Sequence, residues 1–90
     1  MQYIKVIWVH NFEDEPIMYH QELDAEQFET RKVVTYKDGR IEKASELVYS
    51  EETYLSPVPM PPIDEINEDS QFIATEISEA DFENIWCNVT

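Results

Sequence analysis

The chain has 90 residues and a formal charge of −14, from 20 acidic against six basic residues. That length supports one domain, burying roughly 60 to 65% of its unfolded surface. The charge disfavours nucleic acid and anionic membranes as partners. Two Trp, five Tyr and four Phe, with many Ile, Val and Leu, exclude a disordered acidic tail.

Tyr3 to His10 is β-branched and aromatic, with apolar residues at nearly every position, which predicts a strand covered on both faces. Asn11 to Pro16 combines a turn former, three acids and a proline, and reads as a loop. Ile17 to Leu23 is strand-like again, and the short connection lets it run antiparallel to the first strand. Asp24 to Gln27 closes this section as a turn.

Phe28 to Tyr49 alternates, reverses at Asp38-Gly39 and alternates again, and it holds five of the six basic residues. With Asp38-Gly39 as a two-residue turn, Phe28 faces Tyr49, Thr30 faces Leu47, Val34 faces Lys43 and Tyr36 faces Ile41 on a core side. Arg31 then faces Glu46, Val33 faces Ala44 and Thr35 faces Glu42 on a wet side, with an Arg31–Glu46 ion pair.

Four prolines between Pro57 and Pro62 require an extended segment, after a short edge strand near Tyr54-Leu55. Pro62 suits the first position of a short helix whose dipole Asp64 and Glu65 complement. Ile77 to Trp86 is the clearest helix: Ser78 is a good N-cap, and Ile77 and Phe82 stand at the two staple positions. Phe82, Ile85, Trp86 and Val89 give it one apolar face. Trp8 and Trp86 are expected to be the main filling of the core.

From Ala44 to Thr90 there are 11 acids and no Lys or Arg. Charge is therefore segregated, with a basic hairpin inside an acidic chain. Enzyme chemistry finds little footing. No serine lies in a G-x-S-x-G context, and a single glycine makes no phosphate-cradling loop. Glu13-Asp14-Glu15 and the run Asp64, Glu65, Glu68, Asp69 offer hard oxygen ligands without the glycine-centred pattern of a calcium loop. No cofactor is implied. Cys87, the single cysteine, permits no intramolecular disulfide, and its acidic and apolar neighbours predict an inert packed thiol. With no secretory leader and no apolar run of membrane length in the sequence, a cytoplasmic location is expected.

Trp8-Val9-His10, Glu15-Pro16, Glu22-Leu23-Asp24, Arg31-Lys32-Val33 and Asp38-Gly39, with the proline stretch and the ISEADFENIW segment, resemble a family of small bacterial proteins classed as a domain of unknown function. The resemblance covers nearly the whole chain, although members often carry Arg-Trp where Gln27-Phe28 stands. It implies no activity. In size and charge such domains look like the immunity proteins encoded beside secreted toxins.

The expected fold is α+β, an antiparallel sheet of four or five strands with a short helix and a carboxyl-terminal helix packed on one face. The expected function is non-enzymatic: an acidic module that binds a basic protein, a nuclease-type toxin above all, and blocks its cleft. Asp64, Glu65, Glu68 and Asp69, supported by Glu51 and Glu52, form the expected contact surface. The alternative is a small metal-dependent regulator or enzyme using His10, His20 and Glu13 to Glu15. Self-assembly through a sheet edge is a third reading, and oligomeric state is not legible.

Overall fold

In the computed structural model, which describes residues 1–50 and 53–89, five strands form one antiparallel sheet in the order β4-β3-β2-β1-β5. They are β1 (Gln2–Trp8), β2 (Pro16–Leu23), β3 (Glu29–Tyr36), β4 (Ile41–Ser45) and β5 (Phe72–Glu76). Helix α1 (Ile63–Ile66) precedes β5 and helix α2 (Glu79–Asn88) follows it. This is the expected α+β architecture, with β1 inside the sheet between β2 and β5. The fifth strand is Phe72–Glu76 rather than Tyr54-Leu55. Its inward side presents only Phe72 and Ala74, so its alternation is weak in the sequence.

The β3–β4 hairpin sits one residue out of the expected register. Thr35 faces Ile41, Val33 faces Lys43 and Arg31 faces Ser45. The turn is longer than two residues: Gly39 N–H donates to the Tyr36 carbonyl at 3.0 Å, and Tyr36 N–H donates to the Arg40 carbonyl at 2.8 Å. Lys37, Asp38 and Gly39 thus form a three-residue loop closed by Gly39 at φ 92°, the usual form of a type I turn followed by a left-handed residue. A one-residue slip exchanges the faces of a strand. Ile41 consequently lies 47% exposed while its expected partner Tyr36 is buried.

Beyond Ser45 the expected pairings of Leu47 and Tyr49 do not form. The Ser45 hydroxyl accepts from the amides of Leu47 and Val48, and Ser45 N–H donates to the Val48 carbonyl. That local turn competes with the ladder and ends the strand, leaving Leu47 and Tyr49 exposed.

Strand alternation assigns Ile4, Val6, Tyr19, Gln21, Val34 and Ala74 to one face, and Tyr3, His20, Glu22, Arg31, Val33 and Lys43 to the other. Each helix takes its own face, where the pattern alone suggests a shared one. Ile66 of α1 packs on Ile4, Val6, Leu23 and Ala74. Phe82 of α2 is fully buried against Tyr3, with ring centroids 5.4 Å apart. The largest fully buried side chains are Phe82, Ile4, Leu23 and Val33. The two tryptophans are only half-buried, which corrects their expected role as the core filling. Cys87 is likewise exposed on α2 instead of packed.

The capping expected of α2 is present, the Ser78 hydroxyl accepting from Asp81 N–H at 3.0 Å. Pro62 is the N-cap of α1, and its carbonyl accepts from Glu65 and Ile66. Among the described residues no helix is long and apolar enough to cross a membrane.

Gly39 offers a direct test of the turn. A Cβ there would meet nothing within 4 Å, so Gly39→Ala should cost only backbone strain, about 1 to 2 kcal/mol. Urea unfolding with an unchanged m-value is the expected result.

Candidate functional site

Polar chemistry gathers under each of the two helices. Under α2 the centre is Arg31. Its Nε and Nη2 donate to Oε1 and Oε2 of Glu22 at 2.9 and 2.6 Å, a bidentate pair across β2 and β3. Its terminal nitrogens also donate to Glu83 of α2. The guanidinium lies 5.0 Å from the ring centre of Phe82 and 5.1 Å from that of Trp86. Tyr3 adds a second tie by donating its hydroxyl to Glu79 at 3.1 Å.

The hydrogen bonds from Arg31 hold the Glu22 carboxyl down to about 2, against the opposing effect of its burial. Burial, with bonds to Glu22 and Glu79, pushes the Tyr3 phenol up to about 12. The donors of this cluster, Arg31 and the Tyr3 hydroxyl, are spent on carboxylates of the protein itself. The expected Arg31–Glu46 pair is replaced by Glu22 and Glu83, because the register puts Ser45 opposite Arg31.

The other four cations of the hairpin are also engaged within the chain. Lys32 pairs with Glu29, Lys37 with Glu13 and Arg40 with Glu42, while Lys43 lies over the Trp86 ring at 4.6 Å. The basic hairpin is therefore scaffold.

Under α1 the arrangement opens outward. Met60 N–H donates to the Gln27 carbonyl at 2.8 Å, and Ser56 N–H to the Glu29 carboxylate at 2.6 Å. These bonds lay the proline segment across the sheet. Past α1, the Asn67 side-chain amide bonds both backbone groups of Ala74, at 3.0 and 2.6 Å. Asn67 thereby fixes α1 to β5 and occupies part of that edge strand. Between α1, the proline segment and the sheet runs a groove of about 440 Å³, lined by Val6, Tyr19, Met60, Pro61, Ile66 and Phe72 and by the polar Gln21, Glu29, Lys32, Ser56, Glu65 and Asp69.

Asp64, Glu65, Glu68 and Asp69 are brought together here, on α1 and the turn after it. All four are exposed, and among the described residues none of them is ion-paired. Asp69 accepts from Gln71 N–H within its own turn. Glu51 and Glu52 lie outside the described residues. The groove itself was not legible in the sequence. Gln21, a polar residue of the expected second strand, is 4% exposed and donates to Glu29 at 2.5 Å.

The family match accords with this whole-chain organisation. DUF6881, a domain of unknown function, matches residues 2–90. The chain belongs to the DUF6881 family. No curated protein and no solved structure matches it.

In this DUF6881 domain the two histidines have structural surroundings. His10 receives the Phe12 amide on Nδ1 at 2.9 Å and reaches the Pro16 carbonyl with Nε2 at 2.7 Å, which fixes the neutral tautomer donating from Nε2. His20 is buried in β2 opposite Lys5 and Val33, and burial lowers its pKa. Among the described residues no three His, Cys, Asp or Glu side chains are grouped to hold a metal ion.

Glu22 predicts an acid-side signature. Its pKa falls from 4.5 to about 2 on folding, so its stabilisation is complete above pH 4.5 and is lost as pH drops through 2. Glu22→Gln should destabilise by about 2 to 3 kcal/mol at pH 7, by leaving Arg31 short of its main partner. The variant should also lose part of the wild-type pH dependence between 4.5 and 2, as measured by chemical unfolding.

Proposed function

We propose that this protein is a non-enzymatic acidic module that binds a basic protein, and that the partner is a bacterial toxin of the nuclease type whose cleft it blocks. One observation carries the reading. Asp64, Glu65, Glu68 and Asp69 are exposed and, among the described residues, in no ion pair, and two of them, Glu65 and Asp69, line a groove with apolar walls. Carboxylates that the chain does not neutralise are available to a partner, and their field accelerates encounter with a positively charged surface. The apolar groove beside them supplies the desolvated centre that a stable interface needs. A nuclease cleft is built to receive phosphates, and closely spaced carboxylates present a comparable charge to it. The engagement of the hairpin cations within the chain, four by acids and Lys43 by the Trp86 ring, also favours this surface over the hairpin.

The reading is tested by producing in cells the protein encoded by the reading frame beside this gene, which the reading requires to be basic and toxic. Co-production of the wild type should restore growth. A variant with Asp64, Glu65, Glu68 and Asp69 all changed to Lys should not, while keeping its melting temperature. The association rate of the purified pair should fall about tenfold or more between low and high salt. A tight complex with a salt-independent rate, or undiminished binding by the charge-reversed variant, would overturn the proposal.

A further inference from the structure

The groove beside α1 carries a more specific assignment, which rests on the reading of this face as a partner-binding surface. We propose that it receives the guanidinium of an arginine presented by the basic partner. Three features of the groove fit that side chain and no anionic or purely apolar group.

The first is the lining. Val6, Tyr19, Met60, Ile66 and Phe72 give it apolar walls along which an aliphatic stem can lie. The second is the rim, where Glu65 and Asp69 are exposed and unpaired with any cation among the described residues.

The third is independent of the acids. Gln21 lines the groove, is 4% exposed, and its Oε1 is buried with no hydrogen-bond partner. The orientation of this amide is set by its neighbour. Gln21 Nε2 donates to Glu29 Oε2 at 2.5 Å, and an ionised carboxylate only accepts, so the carbonyl oxygen is the end left over. Glu29 is held in turn by Ser56 N–H at 2.6 Å and by Lys32 at 3.3 Å. An unsatisfied buried acceptor carries a desolvation cost that an incoming donor removes.

What the groove offers a ligand is therefore acceptors. Its one cation, Lys32, is occupied by Glu29. A complementary group must be apolar along its length, positive, and rich in donors at its tip. Lysine and arginine both meet the first two requirements. Arginine alone has a planar head that stacks on rings such as Tyr19 and Phe72 and enough N–H groups to serve an amide and two carboxylates together.

The test is an NMR titration of the full chain with an acetyl-Gly-Arg-Gly-amide peptide, against the same peptide carrying citrulline, a neutral near-isostere, or lysine. The arginine peptide should give saturable shifts of the Gln21 side-chain amide and of the Ile66 and Phe72 backbone amides. Citrulline should bind about tenfold more weakly or less, as expected for loss of charge-assisted bonds, and lysine should fall between. The double variant E65Q/D69N, altered only at exposed positions, should reduce arginine binding to the citrulline level without a change in melting temperature. Equal binding of arginine and citrulline would overturn the proposal, as would equal binding of lysine or shifts spread over all exposed acids without saturation. If the groove signals stay still while the charge-reversed variant still loses the basic partner, the arginine assignment fails and the functional reading stands. Arginine-selective saturation without any basic protein partner upholds the groove and removes the toxin reading.

Discussion

Arg31 is the tie between the sheet and its long helix. It projects from β3, takes Glu22 of β2 in a bidentate pair, and reaches Glu83 of α2 with its face against Phe82 and Trp86. A half-buried guanidinium needs such compensation, since a charge removed from water without partners is expensive. The geometry explains why the packed side of α2 carries acids beside its apolar residues. Its sheet-facing side includes Glu79 and Glu83 as well as Phe82 and Trp86, and these acids find Tyr3 and Arg31 waiting. In a chain of charge −14, carboxylates can face inward only where a cation or donor meets them.

That placement depends on two registers. Pairing of β3 with β2 sets Arg31 opposite Glu22 on the side of α2 and Lys32 opposite Gln21 on the other, and the additional hairpin residue, with Gly39 at positive φ, adds Lys43 to the first side and Glu42 to the second. Lys43 then lies over Trp86, Lys32 meets Glu29, and Glu42 accepts from the Thr53 hydroxyl at 2.5 Å. The two registers together give the two faces different chemistry. One becomes a closed ion-pair and aromatic cluster; the other, under the proline segment and α1, becomes an open groove with an acidic rim.

The carboxyl-terminal half gains its character from what the hairpin leaves behind. Most of the chain's cations are matched to nearby acids, so the carboxylates on α1 and its following turn face solvent with their charge uncompensated. Asn67 and the proline segment hold these residues against the sheet, fixing the rim relative to the floor. Preorganisation of this kind lowers the entropy lost when a partner docks.

The α+β class, the first two strands, the existence of the hairpin, the cap of α2 at Ser78 and the segregation of charge are all written into the order of residues. These follow from local signals: alternation, a turn glycine, a capping serine and proline spacing all act within a few residues. That order also brought Asp64, Glu65, Glu68 and Asp69 forward, because a run of acids needs no tertiary contact to be seen. The hairpin register, the outward turn of Ile41 and Leu47, and β5 as the fifth strand were decided by the tertiary structure. There the hydrogen bonds of Tyr36 and Ser45 and the edge of β1 outweigh side-chain pattern. The groove, with Gln21 buried beneath a proline segment more than 30 residues away in the chain, was settled there too. No local spacing encodes which distant segment covers which face of a sheet.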